Sequence, residues 1–172
     1  MNRSVAAILV AILCYSCSST TTIYLVRHAE KQAPNANVPP NDVELSDLGH
    51  ARALVLRDSM QSKALKAVFA TTVRRTQQTV EPTALAKGLT VRQYTATQPA
   101  ADALVDSLSA IKGKKFLVAG HSNTVPAMVR HLGLPCSFTG NIPDNDYDNL
   151  FIITIKKGVK TVRETTYGKP SP

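Results

Sequence analysis

Apolar positions along the chain follow two periodicities that take turns. Short β-branched or apolar runs at Thr22–Val26, Lys66–Ala70, Leu89–Tyr94 and Lys115–Ala119 read as strands. The segments between them read as helices. Ser46, able to cap free backbone N–H groups, and Asp47 in the first turn open a helix that runs to about Gln61. A second spans Thr72 to about Ala86 and stops at Gly88, with Pro82 predicting a kink or split near Glu81. A third covers Pro99–Ile111 before Gly113, and a fourth Asn123–Leu132 before Gly133. Polar, Pro- and Asn-containing loops fill Gln32 to about Val43 and Leu134–Asp148. Leu150–Ile155 and Val159–Thr165, joined around Gly158, read as an edge hairpin. Strands and helices alternating in this way predict an α/β domain, a three-layer α/β/α sandwich with a mostly parallel central sheet and a C-terminal hairpin.

The first residues break the pattern. Arg3 is followed by an apolar run from Val5 to about Tyr15 and then by small and hydroxylated residues, the order of a secretory signal. The run is about half the ~20 residues a membrane-spanning helix needs. Cys17 follows the small Ser16, and the segment resembles the lipobox of bacterial lipoproteins, with Cys17 as the lipidated first residue; a plain signal cleaved near Ser19 is the alternative. The expected organisation is a signal at 1–16, a tether at 17–22, the domain at 23–167 and a tail at 168–172. The expected location is exported and membrane-anchored, facing the periplasm, with Ser18 resembling the outer-membrane sorting rule of a Gram-negative source. Cleavage before Cys17 removes Arg3 as the one charged residue and leaves 156 residues of net charge +7.

The whole chain has 172 residues, enough for one domain, and is 44% hydrophobic and 19% charged, which excludes disorder. Its net charge of +8 predicts an anionic partner. With 5% aromatic residues and no Trp it is poorly supplied with the stacking platforms of single-strand binders, so nucleic acid is not expected. The lysines at 112, 114, 115, 156, 157 and 160 flank turns and read as solvated charge.

Three polar clusters fall at the carboxyl ends of predicted strands, where ligands bind in parallel sheets. They are Arg27-His28-Ala29-Glu30, Arg74-Arg75-Thr76-Gln77 and Gly120-His121-Ser122-Asn123-Thr124. Parallel strands would bring two imidazoles and at least two guanidiniums to one rim beside helix N-termini, an arrangement suited to phosphate oxygens. Arginines beside a histidine disfavour its imidazolium form and keep the ring nucleophilic.

These segments resemble the histidine phosphatase (phosphoglycerate mutase-like) superfamily. The markers are Leu25-Val26-Arg27-His28-Ala29-Glu30, Leu45-Ser46-Asp47-Leu48-Gly49, Arg75-Thr76-Gln77-Gln78-Thr79 and Gly120-His121-Ser122-Asn123-Thr124, in family order over roughly residues 22–165. The resemblance implies a phosphatase in which His28 forms a phosphohistidine. Arg27 and Arg75 would clamp phosphoryl oxygens, His121 would complete the pocket, and Ser122 and Asn123 would lie at the substrate. It implies no cofactor or metal, and as partner a small phosphorylated substrate or a phosphoprotein. Arg74 is the alternative clamp.

The family's general acid has no counterpart here. Thr90–Thr97 contains no Glu, and the position after His121 is Ser122. Without an acid, alkoxide leaving groups depart slowly whereas imidazole or acyl groups suffer less, which resembles the small phosphohistidine phosphatases. Glu30 and Asp148 are the first substitutes to consider, followed by Glu44 and Asp102. Two other readings remain: a degenerate domain that only binds a phosphorylated ligand, and a serine hydrolase on Ser122, whose turn imitates a nucleophile elbow with Thr124 in place of the closing Gly. A zinc deaminase signature around His28-Ala29-Glu30 and Pro135-Cys136 fails at Thr139. His50 and His131 read as solvated or structural and Cys136 as a small apolar residue.

Overall fold

The computed structural model describes residues 19–33, 38–39 and 43–171. The expected signal, Cys17 and most of the loop before Val43 lie outside the described residues. Six strands form one sheet in the order β3-β2-β4-β1-β5-β6. They are β1 (Thr21–Arg27), β2 (Leu65–Thr71), β3 (Val91–Tyr94), β4 (Lys115–Gly120), β5 (Asn149–Lys156) and β6 (Val159–Thr166). The helices are α1 (Asp47–Ser59), α2 (Arg74–Ala86), α3 (Gln98–Ala110) and α4 (Thr124–His131). The first four strands are mutually parallel, β5 runs antiparallel to β1, and β6 antiparallel to β5.

A strand covered on both faces must be apolar throughout, and every residue of β1 is buried. Ile23 and Leu25 pack with Val105 and Leu108 of α3 and Met128 of α4. Tyr24 and Val26 point the other way, to Leu56 of α1 and Val80 and Ala84 of α2. The three layers follow from this period-two alternation. The hairpin turn puts Lys157 and Gly158 at φ 52° and 81°, the left-handed pair that a two-residue connection requires.

Several boundaries differ from the sequence expectation. Helix α2 passes through Pro82 without a break; Val80, Thr83 and Ala84, all buried, hold the turns on either side against the sheet. Strand β3 begins two residues late because the Leu89 N–H closes the end of α2 on the Ala84 carbonyl. The expected tether ends at Thr20: Thr21 Oγ1 donates to the Ile111 carbonyl and accepts from Gly113 N–H, which fixes the start of β1. The expected tail is folded back. Arg52 donates to the carbonyls of Tyr167 and Lys169, and Ser171 N–H donates to Asp148 Oδ2.

Candidate active site

The carboxyl ends of β1, β2 and β4 meet at one end of the sheet, where Arg27, His28, Arg75 and His121 line a cavity of about 270 Å³. Arg27, the last residue of β1, is 3% exposed. Its Nη1 donates to the carbonyls of Pro143 (2.5 Å) and Asp146 (2.9 Å), its Nη2 lies 3.7 Å from Asp144 Oδ1, and its guanidinium sits 4.3 Å from the centre of the Tyr147 ring. The loop before β5 therefore aims this side chain.

His28 is 4% exposed. Its Nδ1 lies 2.8 Å from the Ala29 carbonyl oxygen, and since a carbonyl only accepts, Nδ1 carries the proton and Nε2 is left with a free lone pair. Burial, with the charges of Arg75 and Arg27 and the neighbouring His121, pushes the His28 pKa down to about 3, against a smaller opposing effect of the Ala29 bond. The ring is neutral at pH 7.

His121 stands across the cavity, its ring centre 5.7 Å from that of His28. Its Nδ1 faces Arg75 Nη2 at 3.5 Å and its Nε2 faces Thr71 Oγ1 at 3.0 Å. Proton directions follow from the partners. Thr76 Oγ1 donates to the Val73 carbonyl (2.7 Å), so Thr71 Oγ1 donates to Thr76 Oγ1 (2.7 Å) and accepts from His121 Nε2–H. Burial, then Arg75 and Arg27, lower the His121 pKa to about 4.

Polar residues behind the cavity are used to hold backbone. Thr79 Oγ1 accepts from Ala29 N–H and donates to the Arg75 carbonyl; Gln78 Oε1 accepts from Leu45 N–H. Ser46 caps α1 by accepting from Gly49 N–H. Gly49 is pressed so closely on the β1–α1 connection that a β-carbon there would meet the Glu30 carbonyl oxygen at 2.1 Å.

Residues 23–98 match the family model described as histidine phosphatase superfamily (branch 1). Over these residues, somewhat less than half of the chain, the sequence is similar to the histidine phosphatase superfamily. Solved structures agree in fold. A candidate phosphohistidine phosphatase SixA from Agrobacterium tumefaciens superposes with a TM-score of 0.65 at 18% identity, covering 87% of this chain and 98% of its own. The mycobacterial glucosyl-3-phosphoglycerate phosphatase gives 0.63 at 15% identity, with 86% and 98% covered. A protein histidine phosphatase SixA complexed with tungstate gives 0.64 at 18%, with 84% and 96% covered. A comparison with curated proteins finds no significant sequence match.

The structure gathers Arg27, His28, Arg75, His121, Ser122 and Asn123 at one cavity. Arg74 instead pairs with Glu44. Glu30 and Asp148 do not line the cavity. Both Glu30 oxygens accept from Arg52 Nε at 2.8 and 2.9 Å, and Asp148 is buried, accepting from the backbone of Ser171. Asp102 accepts from Gln98, and His131 pairs with Asp106 on the outside of the α3–α4 layer. Both ring nitrogens of His121 are engaged by Thr71 and Arg75, so this neighbouring imidazole is not held as a base for Ser122. Sequence reasoning missed four contributors: Lys31 and Asp144, which line the cavity, Tyr147 under Arg27, and Thr71 under His121. Thr71 reads as a strand residue, and the loop residues carry no periodic signal. No cluster of three or more potential metal ligands occurs among the described residues.

Proposed function

We propose that the protein hydrolyses a phosphorylated substrate through a phosphohistidine on Nε2 of His28. The observation that carries this reading is the proton on Nδ1, which leaves a neutral nucleophile beside the buried Arg27 and half-buried Arg75 guanidiniums. The Nε2 lone pair forms the N–P bond as the bond to the leaving group breaks and that group takes the electron pair. Water then attacks phosphorus, the N–P electrons return to Nε2, and phosphate departs. Arg27 and Arg75 neutralise the equatorial oxygens, a role that needs no metal. The buried Arg27 Nε–H has no protein acceptor among the described residues and can donate to the same anion. Arrival of a dianion raises the His121 pKa and draws a proton onto Nδ1, from which the ring donates while Nε2–H stays on Thr71.

The leaving group follows from the carboxylates. Glu30 and Asp148 are held away, and Asp144, the carboxylate at the cavity, faces Arg27. A group that leaves without a proton from the enzyme fits best: the imidazole of a phosphohistidine on a protein, or another activated phosphate. We also propose export through residues 1–16 with lipidation at Cys17, testable by the electrophoretic shift of Cys17→Ala and by fractionation of membranes.

The enzymatic reading predicts turnover of p-nitrophenyl phosphate that survives chelators, with an alkali-quenched phosphohistidine absent from His28→Ala. Phosphate binding with turnover no faster than that of His28→Ala would reduce the protein to a receptor for phosphorylated ligands.

A further inference from the structure

The end of the sheet opposite the cavity has its own chemistry. Parallel β1 and β4 start there, with Thr22 paired to Lys115, and the β5–β6 hairpin turns there, with Thr21 paired to Ile155. This register places Lys112, Lys114 and Lys115 beside Lys156, Lys157 and Lys160. All but Lys115 are exposed, and Lys115 is half-buried. Lys66 enters from β2, whose Leu65 also pairs with Lys115. Segments 60–66, 111–115 and 155–160 contain no Asp or Glu to offset them, and no Arg or aromatic residue. Two aliphatic side chains stand exposed among the lysines, Ile111 at 43% and Val159 at 65%.

The chain also enters the fold at this end. Ser19 lies against Gly113, where a β-carbon would come within 2.8 Å of Ser19 Cβ. Cys17 lies two residues before Ser19 in sequence, and the apolar run from Val5 to Tyr15 ends four residues before it.

We propose that this lysine-rich end is a docking surface for an anionic phospholipid bilayer. Compact, flexible ammonium groups suit a diffuse layer of phosphate headgroups, while nucleic-acid grooves and stacked bases favour the Arg forks and aromatic rings that these segments lack. Ile111 and Val159 supply apolar contact with the acyl boundary between the charges. Entry of the chain at the same end, just after an apolar run, orients the domain in one way. The seven residues of β1 then hold the His28 cavity about 20 Å from the membrane, opening away from it.

The test is co-sedimentation of the full chain with vesicles of phosphatidylcholine alone and with about one third phosphatidylglycerol. Any contribution of residues 5–15 is common to both vesicles. The wild type is expected to partition at least about tenfold more strongly onto the anionic vesicles, with the gain lost in high salt and in K112Q/K114Q/K156Q/K157Q. Circular dichroism and Tm of the variant establish that it is folded, independently of phosphatase activity. Equal wild-type binding to both vesicles, a folded quadruple variant that keeps the gain, or displacement from the anionic vesicles by an equal charge of duplex DNA overturns the proposal.

Discussion

Thr71 Oγ1 and His121 Nε2 stand 3.0 Å apart at the base of the cavity, and Thr71 is completely buried. The hydroxyl fixes which nitrogen of His121 keeps its proton. Thr71→Val removes the acceptor and leaves the Nε2–H facing a methyl group, so kcat for p-nitrophenyl phosphate should fall about tenfold and stability by about 1–2 kcal/mol. Thr71→Ser should restore most of kcat. Steady-state kinetics beside urea melts separate the two effects.

Acid should destabilise the fold through both cavity histidines. Their folded pKa values, about 3 and about 4, lie below the unfolded value of about 6.5. Between those limits the unfolded chain binds protons that the folded one does not, so stability rises with pH and is lost on acidification. From pH 7 to about pH 5 each histidine should cost about 2 kcal/mol. Urea midpoints at the two pH values test this, and His28→Asn should remove about half of the loss.

Tyr147 carries Arg27 on its ring at 4.3 Å. Tyr147→Leu should raise KM roughly fivefold with a small change in kcat, the size expected of a cation–π contact of about 1 kcal/mol. Tyr147→Phe keeps the ring and should keep KM. A fall in kcat alone would place Tyr147 in the chemical step instead.

Glu30 and Arg52 form a pair whose side chains are 19% and 7% exposed. Arg52→Met strands the carboxylate and frees the carbonyls of Tyr167 and Lys169, so stability should drop by about 3 kcal/mol. Glu30→Gln should weaken the fold and leave the pH dependence of kcat unchanged. Loss of a basic limb from that profile in Glu30→Gln would restore Glu30 as the acid.

The order of layers was legible because two-sided burial makes Ile23 to Val26 continuously apolar and because Ser46 and the glycines mark helix ends. Ends fixed by side-chain contacts were not. Thr21 joins β1 through its bonds to the Ile111 and Gly113 backbone, and Leu89 leaves β3 to close α2. At the site, the residues with distinctive chemistry, His28, His121, Arg27 and Arg75, stood out in sequence. Thr71 and Tyr147 did not, since a strand threonine and a loop tyrosine acquire meaning only from what the fold lays against them. Glu30 shows the reverse. In sequence it stood as a candidate acid, but its carboxylate is held by Arg52 of α1.

The Nδ1 proton of His28 is held by the carbonyl oxygen of Ala29, a main-chain atom. The regiochemistry of attack is thereby placed beyond the reach of side-chain substitution: every residue that could replace Ala29 presents the same carbonyl. If the proposed phosphohistidine forms on His28, variants of this site can gain or lose rate and selectivity, but its isomer, readable from its phosphorus chemical shift, should not change.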